Sequence, residues 1–209
     1  MDRPGKVVCV GRNYIEHVSE LGNVLPERPL LFLKPPSAVI ADGEEIVLPA
    51  ESGRVEHEGE IGVVVGRTLR RASPEEAAAG IRGVTCVNDV TARDLQKTDG
   101  QWTRAKGFDT FCPMGPRVVP LDGLPPLTDL EVLCRVNGVL RQHGRAADMA
   151  FGVIEILSYI SHIMTLEPGD LVSTGTPAGV GSLEPGDVVE VEIPGVGVLR
   201  NPVVAGPGG

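Results

Sequence analysis

Glycine and proline interrupt this chain so often that its apolar residues fall into short runs. The 209 residues include 27 Gly and 18 Pro, and many of the runs between them are rich in valine, isoleucine and leucine. Short β-branched runs bounded by turn residues are typical of strands. The pattern therefore predicts a sheet-rich chain with few helices.

Nine of these runs are predicted to be strands. Asn137 and Gly138 separate two of the runs and predict a two-residue hairpin, because both residues tolerate a positive φ. The nine runs are residues 7–10, 30–33, 46–48, 61–66, 83–87, 130–136, 139–142, 170–173 and 188–193.

Three segments are predicted to be helical. Ser73 and the following Pro-Glu-Glu are typical of a helix start, which predicts a short helix through Ala79. The apolar spacing of residues 150–164 predicts an amphipathic helix of about 15 residues, and residues 13–21 are a third candidate. No linker divides the chain, so we expect one domain over residues 1–209, with a frayed tail at 205–209.

The net charge and the distribution of apolar residues argue against nucleic-acid and membrane partners. The formal charge is −9, from 19 basic and 28 acidic residues, and without a basic run a nucleic-acid partner is not expected. No signal-like start or apolar run of about 20 residues is present, which predicts a cytoplasmic protein with no membrane partner. The cysteines are widely spaced and predicted to be free thiols, at positions Cys9, Cys86, Cys112 and Cys134.

Three acidic residues lie in apolar segments, where a carboxylate is costly unless a partner compensates its charge. Glu58 and Glu60 precede a run of valines, and Asp89 ends another apolar run. Oxygen-only ligands favour Mg²⁺ or Mn²⁺. The alternatives on local evidence are a solvated strand start for the glutamates and an Asx cap for Asp89.

Other residues are functional candidates only if they lie close to a metal site of this kind. His17 and Glu20 are three residues apart, the spacing of a base and its orienting carboxylate on a helix, although surface neighbours show the same spacing. Lys106 lies in a segment with Arg104 and the only Trp, which suits either an anion-binding loop or a salt-bridged one. Residues 174–181 could present backbone N–H groups and a hydroxyl to an oxyanion, or form an ordinary loop. Motifs for nucleotide binding and serine hydrolysis are absent.

Six motifs occur together in an order that resembles the fumarylacetoacetate hydrolase superfamily. The chain is most similar to its short members: acylpyruvate hydrolase, oxaloacetate decarboxylase and 2-hydroxyhepta-2,4-diene-1,7-dioate isomerase. The motifs are GRNYIEH at 11–17, LFLKP at 31–35, EGE at 58–60, NDVTARDLQ at 88–96, AKGFD at 105–109 and TGTP at 174–177.

This resemblance implies a fold and a set of site residues. The implied fold is a β-rich α+β architecture, a mixed β-sandwich roll with a few short helices, and the implied assembly is a homodimer. The implied cofactor is Mg²⁺, with Mn²⁺ as the alternative. The implied residues are Glu58, Glu60 and Asp89 as metal ligands, His17, Glu20 and Lys106 as catalytic groups, and Arg12, Gln96, Lys106 and Thr176 as substrate contacts.

The resemblance also implies an activity. We expect a Mg²⁺-dependent enzyme that acts on 2-oxo acids through an enolate stabilised by the metal and Lys106, by acylpyruvate-type C–C hydrolysis or oxaloacetate decarboxylation. One alternative is a 2-hydroxyhepta-2,4-diene-1,7-dioate isomerase or 5-oxopent-3-ene-1,2,5-tricarboxylate decarboxylase of aromatic catabolism. An alternative of another class is a non-catalytic metal-dependent binding protein.

Overall fold

The structure, a computed structural model, describes residues 3–15 and 25–207. Strands dominate this part of the chain, as the short apolar runs predict. They are β1 Val7–Gly11, β2 Leu30–Lys34, β3 Val39–Ile40, β4 Ile46–Leu48, β5 Val55–His57, β6 Gly59–Val65, β7 Ile81–Asn88, β8 Thr91–Ala92, β9 Cys112–Val119, β10 Glu131–Val136, β11 Val139–Arg145, β12 Leu171–Ser173, β13 Gly181–Ser182, β14 Val188–Ile193 and β15 Gly197–Ala205.

Four short α-helices accompany the strands in the described residues. They are α1 Pro74–Ala79, α2 Arg93–Thr98, α3 Thr103–Gly107 and α4 Val153–Ile163, with 3-10 turns at Pro36–Ala38, Leu121–Gly123, Leu127–Asp129 and Ala146–Asp148. None of these helices is long and apolar enough to cross a bilayer. The predicted start of α1 is confirmed, because Ser73 and Glu76 form a reciprocal capping box.

The strands form three sheets, of which the two larger are mixed and the smallest is antiparallel. The largest has the order β2-β1-β12-β6-β7-β9-β3, the second β11-β10-β14-β15-β4, and the smallest β13-β5-β8. Strands β6 and β7 of the first sheet contact β10 and β14 of the second. Every residue of β6 is buried, so both faces of this strand are covered. Glu60 is its one charged residue.

All nine predicted strands are confirmed, those at 46–48 and 188–193 with the predicted ends and the others with shifted ends. Six further strands were not predicted: β3, β5, β8, β9, β13 and β15. Strand β9 includes Pro113 and Pro116, and β15 includes Pro202, so their composition resembles a turn. Pairing with distant strands overrides that local preference. Strand β6 begins at Gly59, two residues before the predicted start, so Glu60 lies within the strand and Glu58 just before it.

The helix and tail predictions need three corrections. The helix predicted at 150–164 is α4, which has 11 residues and begins after Gly152. The helix predicted at 13–21 does not include Tyr14, which forms a bridge with Met149, and residues 16–21 lie outside the described residues. The predicted tail is not frayed at its start, because Ala205 pairs with Leu48 in a parallel ladder. Helices α2 and α3 were not predicted.

The cysteine prediction is confirmed, since Cys9, Cys86, Cys112 and Cys134 are all free and buried. Burial raises the pKa of each thiol, to about 12 for Cys86, Cys112 and Cys134. A thiol with a raised pKa is a poor nucleophile at neutral pH. The cysteines therefore behave as small core residues.

Candidate functional site

The pairing of β6 with β7 brings the three predicted acidic ligands together. Gly59 is opposite Asn88 in this ladder, the Asn88 side chain accepts the Glu58 N–H at 2.9 Å, and the Asp89 N–H donates to the Glu58 carbonyl at 2.8 Å. One carboxylate oxygen from each of Glu58, Glu60 and Asp89 lies within 4.8 Å of the others. All three residues are buried, so the solvated alternative for the glutamates is wrong.

Three buried cations surround these carboxylates. The Lys106 Nζ donates to Glu58 at 2.9 Å and to Asp89 at 2.6 Å, and the Lys34 Nζ donates to the other Asp89 oxygen at 2.7 Å. The Arg93 guanidinium contacts the second Glu58 oxygen. Burial lowers the pKa of Lys106, but Asp89 and Glu58 outweigh burial and raise it above its ordinary value. Lys106 therefore remains an ammonium ion.

Glu60 has the least charge compensation of the three acids. The Ser173 hydroxyl and the Gly175 N–H donate to the same Glu60 oxygen, at 2.5 and 2.7 Å. Burial, followed by repulsion from Asp89 and Glu58, raises the pKa of Glu60 from 4.5 to about 8. A bound divalent cation would reverse this shift by favouring the ionised form.

The cluster has the chemistry of a hard-cation site. It offers three carboxylate groups and no sulfur or imidazole ligand among the described residues, and hard cations such as Mg²⁺ and Mn²⁺ prefer oxygen ligands. The residues therefore fit a divalent metal ion.

The acidic cluster lies at a cavity of about 410 Å³. Phe32 and Trp102 form an aromatic wall with ring centroids 5.2 Å apart. The Lys106 ammonium lies 4.9 Å from the Phe32 centroid, and the Arg12 guanidinium lies 6.0 Å from the Trp102 ring. The cavity thus combines acidic groups, cations and aromatic surface. Its remaining lining residues are Val10, Gly11, Glu58, Glu60, Asp89, Arg93, Gln96, Lys97, Gly100 and Thr176.

The predicted substrate contacts line this same cavity: Arg12, Gln96, Lys106 and Thr176. Gln96 accepts a hydrogen bond from Arg93 at 2.5 Å. The two predicted catalytic residues His17 and Glu20 lie outside the described residues. The structure brings the substrate contacts together with the acidic cluster, and the roles of these residues stay predictions.

Two charged residues of the site were missed as individual functional candidates. Lys34 and Arg93 are almost fully buried, at 1% and 4% exposure, and both contact the acidic cluster. The signal was present in the sequence, because Lys34 follows four apolar residues. A cation in such a segment needs a buried acidic partner as much as a carboxylate needs a cation.

Comparisons with known proteins identify the family. The family described as fumarylacetoacetate (FAA) hydrolase C-terminal matches residues 6–204. The chain belongs to this family. Human mitochondrial oxaloacetate tautomerase FAHD2A is 40% identical over 97% of this chain and 67% of its own length. Protein MJ1656 of Methanocaldococcus jannaschii is 51% identical over 95% of this chain and 83% of its own.

A solved structure supports the same assignment. The 2-hydroxyhepta-2,4-diene-1,7-dioate isomerase from Mycobacterium marinum has 47% identity and a TM-score of 0.89, over 98% of this chain and 76% of that one. The expected family and the β-rich fold are therefore confirmed, and the chain is an enzyme of the fumarylacetoacetate hydrolase superfamily. The alternative of a non-catalytic binding protein is set aside.

The raised pKa of Glu60 predicts how the metal-free protein responds to pH. Between pH 4.5 and about 8 the folded state keeps a proton on Glu60 that the unfolded state has released. The protonated Glu60 therefore makes its full contribution to the free energy of unfolding below pH 4.5, and this contribution is lost as the pH rises from 4.5 to about 8. The free energy of unfolding of the wild type, relative to Glu60→Gln, should therefore fall over this range. Urea denaturation in EDTA at a series of pH values measures it, and a relative stability that rises would contradict the assignment.

Proposed function

We propose that the protein is a Mg²⁺-dependent enzyme that acts on 2-oxo acids through an enolate. The observation that carries this proposal is the buried cluster of Glu58, Glu60 and Asp89, with the Lys106 ammonium beside it, at a cavity wide enough for a small organic acid. Three carboxylates beside one lysine carry an excess of negative charge, so they would repel a developing anion. With a bound divalent cation, the same cluster can stabilise negative charge on a substrate. The cavity therefore suits a reaction that develops charge on a substrate oxygen.

The metal ligands in this proposal are Glu58, Glu60 and Asp89, with Mg²⁺ favoured and Mn²⁺ as the alternative. When bound, the ion supplies Lewis acidity that favours negative charge on the 2-oxo oxygen of the substrate. Lys106 contributes hydrogen-bond donors, because its ammonium lines the cavity and is held by Glu58 and Asp89. Because the Lys106 ammonium is already fixed in position, it needs little reorganisation when negative charge develops on the substrate oxygen. This lowers the activation barrier of the reaction.

The remaining lining residues suit recognition of carboxylates. The Arg12 guanidinium stacks over Trp102 in the cavity wall, and the guanidinium fork matches a carboxylate in two-point binding. Gln96 is half-buried in the same cavity and carries amide donors. We assign substrate binding to Arg12, Gln96, Lys106 and Thr176, with the aromatic wall limiting the access of water.

Three reactions share the enolate, and two are favoured here: acylpyruvate-type C–C hydrolysis and oxaloacetate decarboxylation. Hydrolysis needs a base for the attacking water, and we assign that role to His17 with Glu20 as its orienting carboxylate, both outside the described residues. Decarboxylation needs no water nucleophile, because CO₂ leaves and the bonding electrons remain as the enolate. The third reaction, isomerisation of a hydroxydienedioate, needs only proton transfer.

A second candidate function is the keto–enol tautomerisation of oxaloacetate. It is supported by the oxaloacetate tautomerases of human and cattle that are 40–41% identical to this chain. In this reaction a proton leaves C3 of the keto form, and another is delivered to the 2-oxo oxygen, so no carbon–carbon bond breaks. The homodimer and the cytoplasmic location implied by the family resemblance and by the sequence stay predictions.

A substrate panel separates these reactions. We expect turnover of oxaloacetate or an acylpyruvate that is abolished by EDTA and restored by Mg²⁺. Release of pyruvate identifies decarboxylation or hydrolysis, whereas decay of the enol absorbance without pyruvate identifies tautomerisation. Inclusion of 2-hydroxyhepta-2,4-diene-1,7-dioate tests isomerisation. No turnover of any of these acids, or turnover that is insensitive to EDTA, would contradict the proposal.

The metal assignment predicts the effect of isosteric changes in the cluster. Glu58→Gln, Glu60→Gln and Asp89→Asn should each weaken Mg²⁺ or Mn²⁺ binding by more than about 100-fold, beyond the usual effect of outer-shell partners. Calorimetry measures the dissociation constants. The control is Glu192→Gln, which breaks a surface ion pair with Arg135 of 2.6 Å and should leave the affinity unchanged. If all three cluster variants bind Mg²⁺ and Mn²⁺ as tightly as the wild type, these acids are not the metal ligands.

The two lysines should differ in their effect on substrate binding. Oxalate resembles the planar enolate of pyruvate and is the probe. Lys106 lines the cavity, whereas Lys34 contacts Asp89 without lining it. At saturating Mn²⁺, Lys106→Met should weaken oxalate binding by about 10- to 100-fold, the value of one hydrogen bond to a charged group. Lys34→Met is the matched control and should lose less oxalate affinity than Lys106→Met. If the two variants lose oxalate affinity equally, Lys106 has a structural role.

A further inference from the structure

A buried amide outside the cavity lining contacts the segment that carries two of the acids. Gln142 lies on β11 and is 1% exposed. The ladder between β10 and β11 is irregular here: Cys134 is opposite Gln142, and Arg135 is opposite Leu140, so Arg141 is an extra residue. Bulges of this kind redirect a side chain and are frequent beside active sites.

The Gln142 side chain completes a closed ring of hydrogen bonds. Its Oε1 accepts the Gly59 N–H at 2.9 Å, and its Nε2 donates to the Thr176 hydroxyl at 2.7 Å and to the Pro177 carbonyl at 2.8 Å. The Thr176 hydroxyl donates in turn to the Gly59 carbonyl at 2.9 Å. Both peptide groups of Gly59 are therefore held by side chains.

The donors and acceptors in this ring have only one consistent assignment. A backbone N–H can only donate and a carbonyl can only accept, so Gly59 and Pro177 fix which end of the Gln142 amide carries the nitrogen. His57 lies 3.1 Å from Gln142 Oε1 through its Nδ1, which must then carry the proton. Burial lowers the pKa of His57, consistent with a neutral ring. The Thr176 hydroxyl donates its proton to the Gly59 carbonyl, so the substrate contact proposed for Thr176 uses its other atoms.

We infer that Gln142 is a positioning residue that sets the relative placement of Glu58 and Glu60. Gly59 is the single residue between these acids, and the ring holds its N–H and its carbonyl at the same time. The ring also fixes Thr176, so one amide from the second sheet aligns two acidic ligands and one cavity residue. The inference rests on the proposed metal function of the acids. It gives Thr176 a role in the ring in addition to its proposed contact with the substrate.

The backbone on both sides of the ring is closely packed. A Cβ at Gly59 would lie 2.9 Å from the Cβ of Cys134, on the strand that pairs with β11. A Cβ at Gly179 would lie 2.0 Å from the Arg141 carbonyl, so the loop after Thr176 contacts the bulge backbone directly. Gly179 also has a φ of +99°, which side-chain-bearing residues rarely adopt. The bulge and this loop are therefore in close backbone contact.

Metal affinity tests this role without relying on turnover. Gln142→Met keeps the size of the side chain and removes every hydrogen bond of the amide, and we expect Mn²⁺ binding to weaken by about 10- to 100-fold, as for other outer-shell partners. Thr176→Val breaks the ring at another corner and should give a similar loss, whereas Thr176→Ser keeps the hydroxyl and should retain wild-type affinity. Calorimetry or Mn²⁺ spin resonance measures the affinity, and circular dichroism verifies folding.

The matched control is Asn201→Leu. Asn201 is 2% exposed, and its amide donates to the carbonyls of Ala41 and Glu44 without contacting the acidic cluster. This variant loses comparable buried hydrogen bonds and should keep the wild-type Mn²⁺ affinity. If it loses as much affinity as Gln142→Met, the effect is general destabilisation and the inference is overturned.

The remaining outcomes separate this inference from the proposed function. If the wild type binds Mn²⁺ and both Gln142→Met and Thr176→Val bind it equally well, the positioning role fails while the metal function stands. If the wild type binds neither Mn²⁺ nor Mg²⁺, both fail together. If Gln142→Met does not fold, Thr176→Val alone decides, because a Val side chain fills the same volume as Thr.

Discussion

The structure depends on a balance of buried charge where β6 begins and β7 ends. Glu58, Glu60 and Asp89 are removed from water, and each uncompensated carboxylate there would be costly. Their cations come from three separate elements, with Lys34 on β2, one on α2 and one on α3. The fold must therefore bring β2, α2 and α3 to this point. The cavity is a consequence of that convergence.

The second sheet contributes to the same site through hydrogen bonds instead of charge. Gln142 reaches across from β11 and holds both peptide groups of Gly59. Neutral hydrogen bonds of this kind are directional, so they define geometry more closely than ion pairs do. The cations stabilise the acids electrostatically, while the amide and hydroxyl set their placement. The site is thus an interface between two sheets and not a property of one strand.

The family assignment and the site geometry are consistent with chemistry on organic acids, and they do not single out one reaction. Named relatives of this chain include an oxaloacetate tautomerase and a hydroxydienedioate isomerase, and both reactions place negative charge on an oxygen of an organic acid. In the proposed function, Lys106 and a cation held by the acidic cluster stabilise that charge. The reaction that follows depends on groups that move protons or activate water. The same fold thus hosts different activities among these relatives.

The sequence by itself determined the strand-rich class, the α1 cap and the three acids, because these depend on local composition and on the cost of charge in apolar runs. It also determined, through six ordered motifs, which cavity residues belong together. Only the tertiary structure decided the proline-containing strand β9, the partners of Lys34 and the role of Gln142. Each of these depends on pairing between residues far apart in the chain, and no local pattern encodes which distant group will lie opposite. A bulge at Arg141 turns an ordinary glutamine into part of the site, and its effect exists only once both sheets have packed.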